Sequence, residues 1–173
     1  MRPTEILMHE HELVVRALEV LGAMRAQAAI GGTVARADRA DLIAFFREFL
    51  DGCHHRKEEQ VLFPALAQAG LPVENGPIGV MLHEHETGRQ LVRALADDGP
   101  SFTTAAADFD ELLRAHINKE NMILFRMADR LLPRARQDEI VDAFGRVDGD
   151  GVRWTAIVDR LAATWLPPRR AAV

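Results

Sequence analysis

The 173-residue sequence has no tyrosine and a single cysteine, Cys53. The missing tyrosine excludes a tyrosyl-radical mechanism. One cysteine excludes an internal disulfide and a cysteine cluster for an iron–sulfur partner, and suits a reducing cytoplasm. Lysine is almost absent: Lys57 and Lys119 stand against nineteen arginines. The basic residues are scattered and the net charge is −5, so no nucleic-acid partner is expected. No apolar run approaches the roughly 18–20 residues of a membrane span, so no membrane partner is expected either. The opening residues, Met1 to Glu5, lack the apolar core of a secretory signal, and the expected location is cytoplasmic. Neither a GxGxxG fingerprint nor a P-loop is present. What remains is 48% apolar and 27% charged, the balance of a globular chain long enough to bury a core.

The apolar residues repeat with helical period almost throughout. A first helix from about Thr4 to Ile30 carries Leu7, His11, Val14, Leu18 and Leu21 on one face, and Gly31-Gly32 ends it. A second starts with Asp38 as N-cap and Asp41 three residues on. Its inward stripe is Phe46, Leu50, His54, Glu58, Val61 and Ala65. A break from Gly70 to Pro77 precedes a third stripe of Ile78, Leu82, His85, Val92 and Leu95. After a loop at 97–101, a fourth carries Phe109, Leu113, His116, Glu120, Ile123, Met127 and Leu131. Short loops make consecutive helices antiparallel neighbours. The expectation is an all-α fold, an antiparallel up-down four-helix bundle over 1–133, with a C-terminal helical extension over 134–173 packed on it. Ile140, Val141 and Phe144 give the extension one apolar patch. Trp154, Ile157, Val158, Leu161 and Trp165 give it a second. A frayed tail follows from Leu166. Asp148-Gly149-Asp150-Gly151 opens like a calcium loop but lacks the later acidic ligands, so it reads as a turn.

All seven histidines fall in four clusters, one per helix: His9/His11, His54/His55, His83/His85 and His116. The clusters repeat. Leu7-Met8-His9-Glu10-His11-Glu12 matches Met81-Leu82-His83-Glu84-His85-Glu86 at an offset of 74. The segment from His54 to Phe63 matches that from His116 to Phe125 at an offset of 62. Both lysines fall at one repeat position. The two halves are thus expected to be related by a pseudo-two-fold axis along the bundle. His54 aligns with His116 and Glu58 with Glu120, and a spacing of four stacks each pair on one helix face. His55 aligns with Ile117, and Glu59 with Asn121, so these positions do not repeat their chemistry. In each His-Glu-His segment only one histidine can face inward. The stripe selects His11 and His85 and leaves His9 and His83 outside.

Four histidines and two glutamates then meet in an apolar interior. Two buried carboxylates without counter-charge cost several kcal/mol each. No lysine or arginine is expected to face them, with Arg89 the one candidate. A metal compensates better. Imidazole with carboxylate and no thiolate suits iron or manganese, and zinc less specifically. Two carboxylates among four or more histidines suggest two metals bridged by the carboxylates.

At this point the order of His, His-x-x-x-Glu, His and His-x-x-x-Glu resembles the hemerythrin-like, or HHE cation-binding, family. The likeness covers about residues 4–132. It rests on His54-His55-Arg56-Lys57-Glu58-Glu59 with Leu62-Phe63-Pro64, on His85 with Gly88-Arg89, and on His116 to Asn121 with Leu124-Phe125. The resemblance implies a non-haem centre of two iron ions with an oxo or hydroxo bridge. It implies Glu58 and Glu120 as bridging carboxylates and His11, His54, His85 and His116 as terminal ligands. Oxygen-carrying relatives place a further histidine four residues after the third-helix ligand, where this sequence has Arg89. His55 is the candidate for a fifth histidine, either as a direct ligand or in an outer role. Gly88 either leaves space for a diatomic or lets helices pack closely. Arg89 either stabilises a bound anion or, the favoured reading, pairs with an acid.

The functional expectation is a di-iron protein that binds a small diatomic ligand, O2 or NO, at an open iron position, for sensing, storage or delivery. The alternatives are a di-iron enzyme (NO reduction, peroxide decomposition or an oxidase) and iron storage or iron-centre repair. Hemerythrin-like repair proteins often carry an added cysteine-bearing domain, which this sequence does not contain.

Overall fold

The computed structural model describes residues 1–98, 100–147 and 149–167. Asp148 of the expected turn, Gly99 of the third loop and the tail beyond Pro167 lie outside the described residues. Within them the chain forms six helical rods and no strand. Helix α1 is Pro3–Ala29. Its inward stripe of Leu7, His11, Val14, Leu18 and Leu21 is almost fully buried. Gly31, at φ +74°, turns the chain out of it, a conformation that costs glycine little.

Helix α2 runs over 36–68. It begins at Arg36, two residues before the expected cap, and Asp38 sits inside its first turn. Asp38 and Asp41 face the C-terminal helix instead and accept hydrogen bonds from Arg160. Over Phe45–His55 and again over Glu58–Leu62 the rod widens into π-helical turns. Helix α3 is Pro77–Ala94, with Pro77 at its first position. Helix α4 runs over 100–131 and widens in the same way over Glu120–Leu124.

These wide turns correct the expected stripes. In each, the backbone N–H one residue past the turn donates to the glutamate carbonyl five residues back: Phe63 to Glu58 and Phe125 to Glu120. One extra residue per turn moves the inward position from i+3 to i+4. Leu62 and Leu124 are therefore buried, while Val61 is only half-buried and Ile123 is 53% exposed. Further along, Leu131 is 40% exposed, and its neighbour Leu132 is buried. In α3, Met81 takes the inward place expected for Leu82. Proline does not cause the wide turns, because Arg126 stands in α4 where Pro64 stands in α2. Both turns start at the inward glutamate, and π-turns cluster at functional sites.

Two further helices follow, α5 (Arg134–Phe144) and α6 (Gly151–Trp165). They lie along the flank formed by α1 and α2. Ile140 and Phe144 join one apolar cluster of the bundle; Trp154, Val158 and Leu161 join the other. The two clusters sit at opposite ends of the bundle interior. The layer between them is polar and holds the repeated histidines and glutamates. Among the described residues no helix is long and apolar enough to cross a membrane.

Candidate metal centre

The four helices deliver His11, His54, His55, Glu58, His85, His116 and Glu120 to that middle layer, each at most 4% exposed. The donor atoms form two groups that share Glu58. His11, His54, Glu58 and Glu120 make one; His55, Glu58, His85 and His116 make the other. In each, the ligand atoms lie within 4.8 Å of one another.

The glutamates span both halves. Glu58 places Oε1 3.6 Å from His54 Nε2 and Oε2 3.5 Å from His85 Nε2. Glu120 places Oε2 3.2 Å from His11 Nε2 and Oε1 3.3 Å from His116 Nε2. None of the four carboxylate oxygens has a hydrogen-bond partner. Buried carboxylates without partners are rare because their desolvation is unopposed.

The imidazoles show why. His54 Nδ1–H donates to Glu10 at 2.8 Å, His85 Nδ1–H to Glu59 at 2.8 Å, and His116 Nδ1–H to Glu84 at 2.9 Å. His11 Nδ1–H donates to Asn121 Oδ1 at 2.9 Å. An ionised carboxylate only accepts, so Nδ1 carries a proton and Nε2 is the nitrogen left facing inward. Yet His11 and His54 bring their Nε2 atoms to 3.0 Å, and His85 and His116 to 3.1 Å. Facing lone pairs between His11 and His54 repel unless a cation lies between them; between His85 and His116 a proton on His116 fills that place in the metal-free layer. Six-coordinate donors at about 2.1 Å from an ion are about 3.0 Å apart along an edge. The donor set thus fits metal ions, and its mix of imidazole and carboxylate without thiolate fits iron or manganese. Cys53, buried next to His54, turns aside and accepts the Gly149 N–H at 3.4 Å.

The outer layer repeats as well. Glu10 binds Lys57 in addition to His54, and Glu84 binds Lys119 in addition to His116. Lys57 is 1% exposed, its ammonium 5.8 Å from the Phe144 ring, so a lysine is buried at this level after all. It meets Glu10 on the outer side of the histidines. Phe125 stacks on His11 and Phe63 on His85. Asn121 and Glu59, read from residue type as unrepeated, do the same work one repeat apart. Glu59 is readable from the sequence as an acid that either faces solvent or holds a histidine N–H; Asn121 is found only by comparing roles across the offset. His9 and His83 are exposed, as their place off the stripe requires.

His55 is the asymmetric member. Its ring lies 3.8 Å from that of His85, nearly parallel at 14°. Both of its nitrogens are buried without a hydrogen-bond partner; Asp51 Oδ1 stands 3.5 Å from Nδ1. Burial, then the neighbouring His85, push its pKa well down and keep the ring neutral. Arg89 pairs with Asp51 at 2.8 Å and with Glu59 at 2.5 Å, and so fixes the carboxylate that holds His85.

Charge within the layer is divided unevenly. Burial pushes the Glu58 carboxyl well up, and the adjacent Glu120 adds to this. Burial also opposes the charge of Glu120, but His116 and His11 outweigh it and hold that carboxyl well below its usual range. Burial brings His54 down to about 4. Burial opposes the His116 cation too, yet Glu120 and Glu84 bring it up to about 9.

Comparison with known proteins agrees with this architecture. Residues 2–128 match the hemerythrin HHE cation binding domain. The uncharacterized protein Rv1995 of Mycobacterium tuberculosis is 33% identical over 140 residues, covering 79% of this chain and 51% of the relative. Iron-sulfur cluster repair protein YtfE of Edwardsiella ictaluri is 37% identical over 95 residues, 47% of this chain and 42% of the relative. YtfE of Dickeya chrysanthemi is 36% identical over 91 residues, covering 44% and 41%. The chain spans about half or less of the length of these curated relatives. No solved structure matches the sequence significantly. With the family match extending through all four bundle helices, the chain belongs to the hemerythrin HHE cation-binding family.

Proposed function

We propose that this chain is a cytoplasmic non-haem di-iron protein that binds O2 or NO for sensing, storage or delivery. The observation that carries the reading is the pair of buried donor groups sharing Glu58, with four carboxylate oxygens that no protein donor satisfies. His11 and His54 would hold one iron, and His55, His85 and His116 the other, with Glu58 and Glu120 bridging. Bound there, an iron pair would supply electrons and a coordination position for a diatomic. The protein's part is positional. Glu10, Glu59, Glu84 and Asn121 fix the tautomer and tilt of the four rings, as outer hydrogen bonds do at metal sites. Phe63, Phe125, Leu62 and Leu124 exclude water from one side of the layer. Near two irons per chain by mass spectrometry is expected, with visible absorption that bleaches on reduction and returns with O2. One zinc, or no metal after anaerobic iron loading, would overturn the reading.

A second reading, donation of iron to damaged iron–sulfur centres, is favoured by the name of the two YtfE relatives. Rapid loss of iron to a weak chelator would support it over reversible ligand binding.

A further inference from the structure

A cavity of about 360 Å³ opens between α2, α3 and α4 and ends on His55, His85 and His116. Phe46, Leu50, Val92, Phe109 and Leu113 wall it, together with the bare backbone of Gly88. A closed apolar cavity of about 150 Å³ already holds benzene, and sites for organic ligands start at about 300 Å³. A diatomic would leave most of this space unfilled.

The internal repeat identifies the cavity as a departure of one side of the metal layer from the other. The offset of 74 sets Gly88 against Val14, and the offset of 62 sets His55 against Ile117. Val14 is fully buried and Ile117 is 7% exposed, both in the larger apolar cluster. The side of the layer that faces the cavity, where α2 meets α3, has lost one of these side chains and carries an imidazole for the other. Crowding does not demand the glycine. A Cβ on Gly88 would stand 3.7 Å from Phe109 and 3.9 Å from Leu112, ordinary contact distances.

The rim carries charge of one sign in excess. Arg47, Arg89 and Arg93 line it, against Asp51 and Glu84. Arg89 already binds Asp51 and Glu59, and Glu84 already binds His116 and Lys119. Arg93 is largely exposed, 3.7 Å from Glu86. Arg47 is exposed and has no ion pair among the described residues. An anion fits this mouth, and an apolar body fits the walls.

We propose that the cavity binds an organic monocarboxylate with an apolar body of about eight to ten carbons. The body lies against Phe46, Gly88 and Phe109, and the carboxylate meets Arg47 and Arg93. This goes beyond diatomic binding and does not depend on which metal the layer holds.

The test is a calorimetric titration of the full-length chain, as purified, with octanoate and with 1-octanol, counting metals on the same sample. Octanoate is expected to bind saturably at one site, with 1-octanol about fivefold weaker, the share of an exposed ion pair. Gly88→Val, which copies Val14, should weaken octanoate at least about tenfold by occupying the space. Arg47→Gln, an exposed substitution that leaves the core intact, should weaken octanoate about fivefold and leave 1-octanol unchanged. Absence of saturable octanoate binding up to about 10 mM would overturn the proposal. So would binding that neither variant alters, or 1-octanol binding as tightly as octanoate. Octanoate binding without iron would count against the di-iron reading alone, and two irons without octanoate binding against this proposal alone.

Discussion

Asn121 accepts the Nδ1–H of His11 at 2.9 Å, in the place where Glu59, one repeat earlier, accepts that of His85 at 2.8 Å. An amide oxygen and a carboxylate thus orient equivalent imidazoles. Asn121→Ala would leave His11 unanchored. Loss of such an outer partner lowers metal affinity roughly 10–100-fold. Competition against a chelator of known affinity measures this, and an unchanged affinity would show that Asn121 does not orient the ring.

Glu58 and Glu120 should both be needed for the loaded site, but only Glu58 should be a liability for the metal-free fold. Glu58→Ala or Glu120→Ala is expected to drop metal content well below two per chain. Metal-free Glu58→Ala should melt no lower than the metal-free parent, because it removes a buried carboxyl that burial disfavours, whereas metal-free Glu120→Ala should melt lower, because it leaves the His116 cation without its counter-charge. Two irons retained in both variants would refute the bridging assignment.

Metal uptake should release protons near neutral pH. His116 is held protonated up to about 9 by Glu120 and Glu84, against the effect of burial, and a ligating imidazole must be neutral. Its proton leaves on binding at pH 7, so affinity rises with pH until about 9 and levels off above it. His54, brought down to about 4 by burial, is already neutral at pH 7 and opposes binding only in acid. Calorimetry in two buffers of different ionisation enthalpy counts the protons. No release at pH 7 would contradict the assigned state of His116.

Periodicity alone locates four helices and puts His11, His54, His85 and His116 on their inner faces, because a 3.6-residue repeat needs no tertiary information. It fails one turn past each glutamate. A π-turn has no signature in apolar spacing, so Val61 and Ile123 were assigned to the core where Leu62 and Leu124 lie. The outer partners were harder still. Glu10 and Glu84 carry no pattern that separates them from solvent-facing acids, and His55, a candidate ligand by resemblance, has no partner in the repeat and is set in place by the packing of α3, which brings His85 against it. The shifted register is testable directly. Leu124→Ala should cost about 2–5 kcal/mol in chemical denaturation, and Ile123→Ala no more than about 0.5 kcal/mol. Equal costs would restore the unshifted stripe.

Asp38 illustrates how a capping signal can be taken over by tertiary structure. It does not cap α2; it accepts Arg160 at 2.8 Å and Trp165 Nε1–H at 2.9 Å, pinning the end of α6 to the start of α2. The Arg160 hydrogen bond, with Trp165 behind it, holds the Asp38 carboxyl below its ordinary 3.8. A carboxylate depressed in the folded state contributes stability above its unfolded value, and that contribution fades as pH falls through the folded one. Arg160 is half exposed, so solvent screening limits the pair, and Asp38→Ala should cost about 1 kcal/mol. For a chain of this size that is about 2–4 °C in Tm. The difference between parent and variant should be full at pH 7 and shrink toward zero as the pH drops below 3.8. A difference that persists undiminished in acid would mean that packing of Trp165, rather than the charged contact with Asp38, secures the helix.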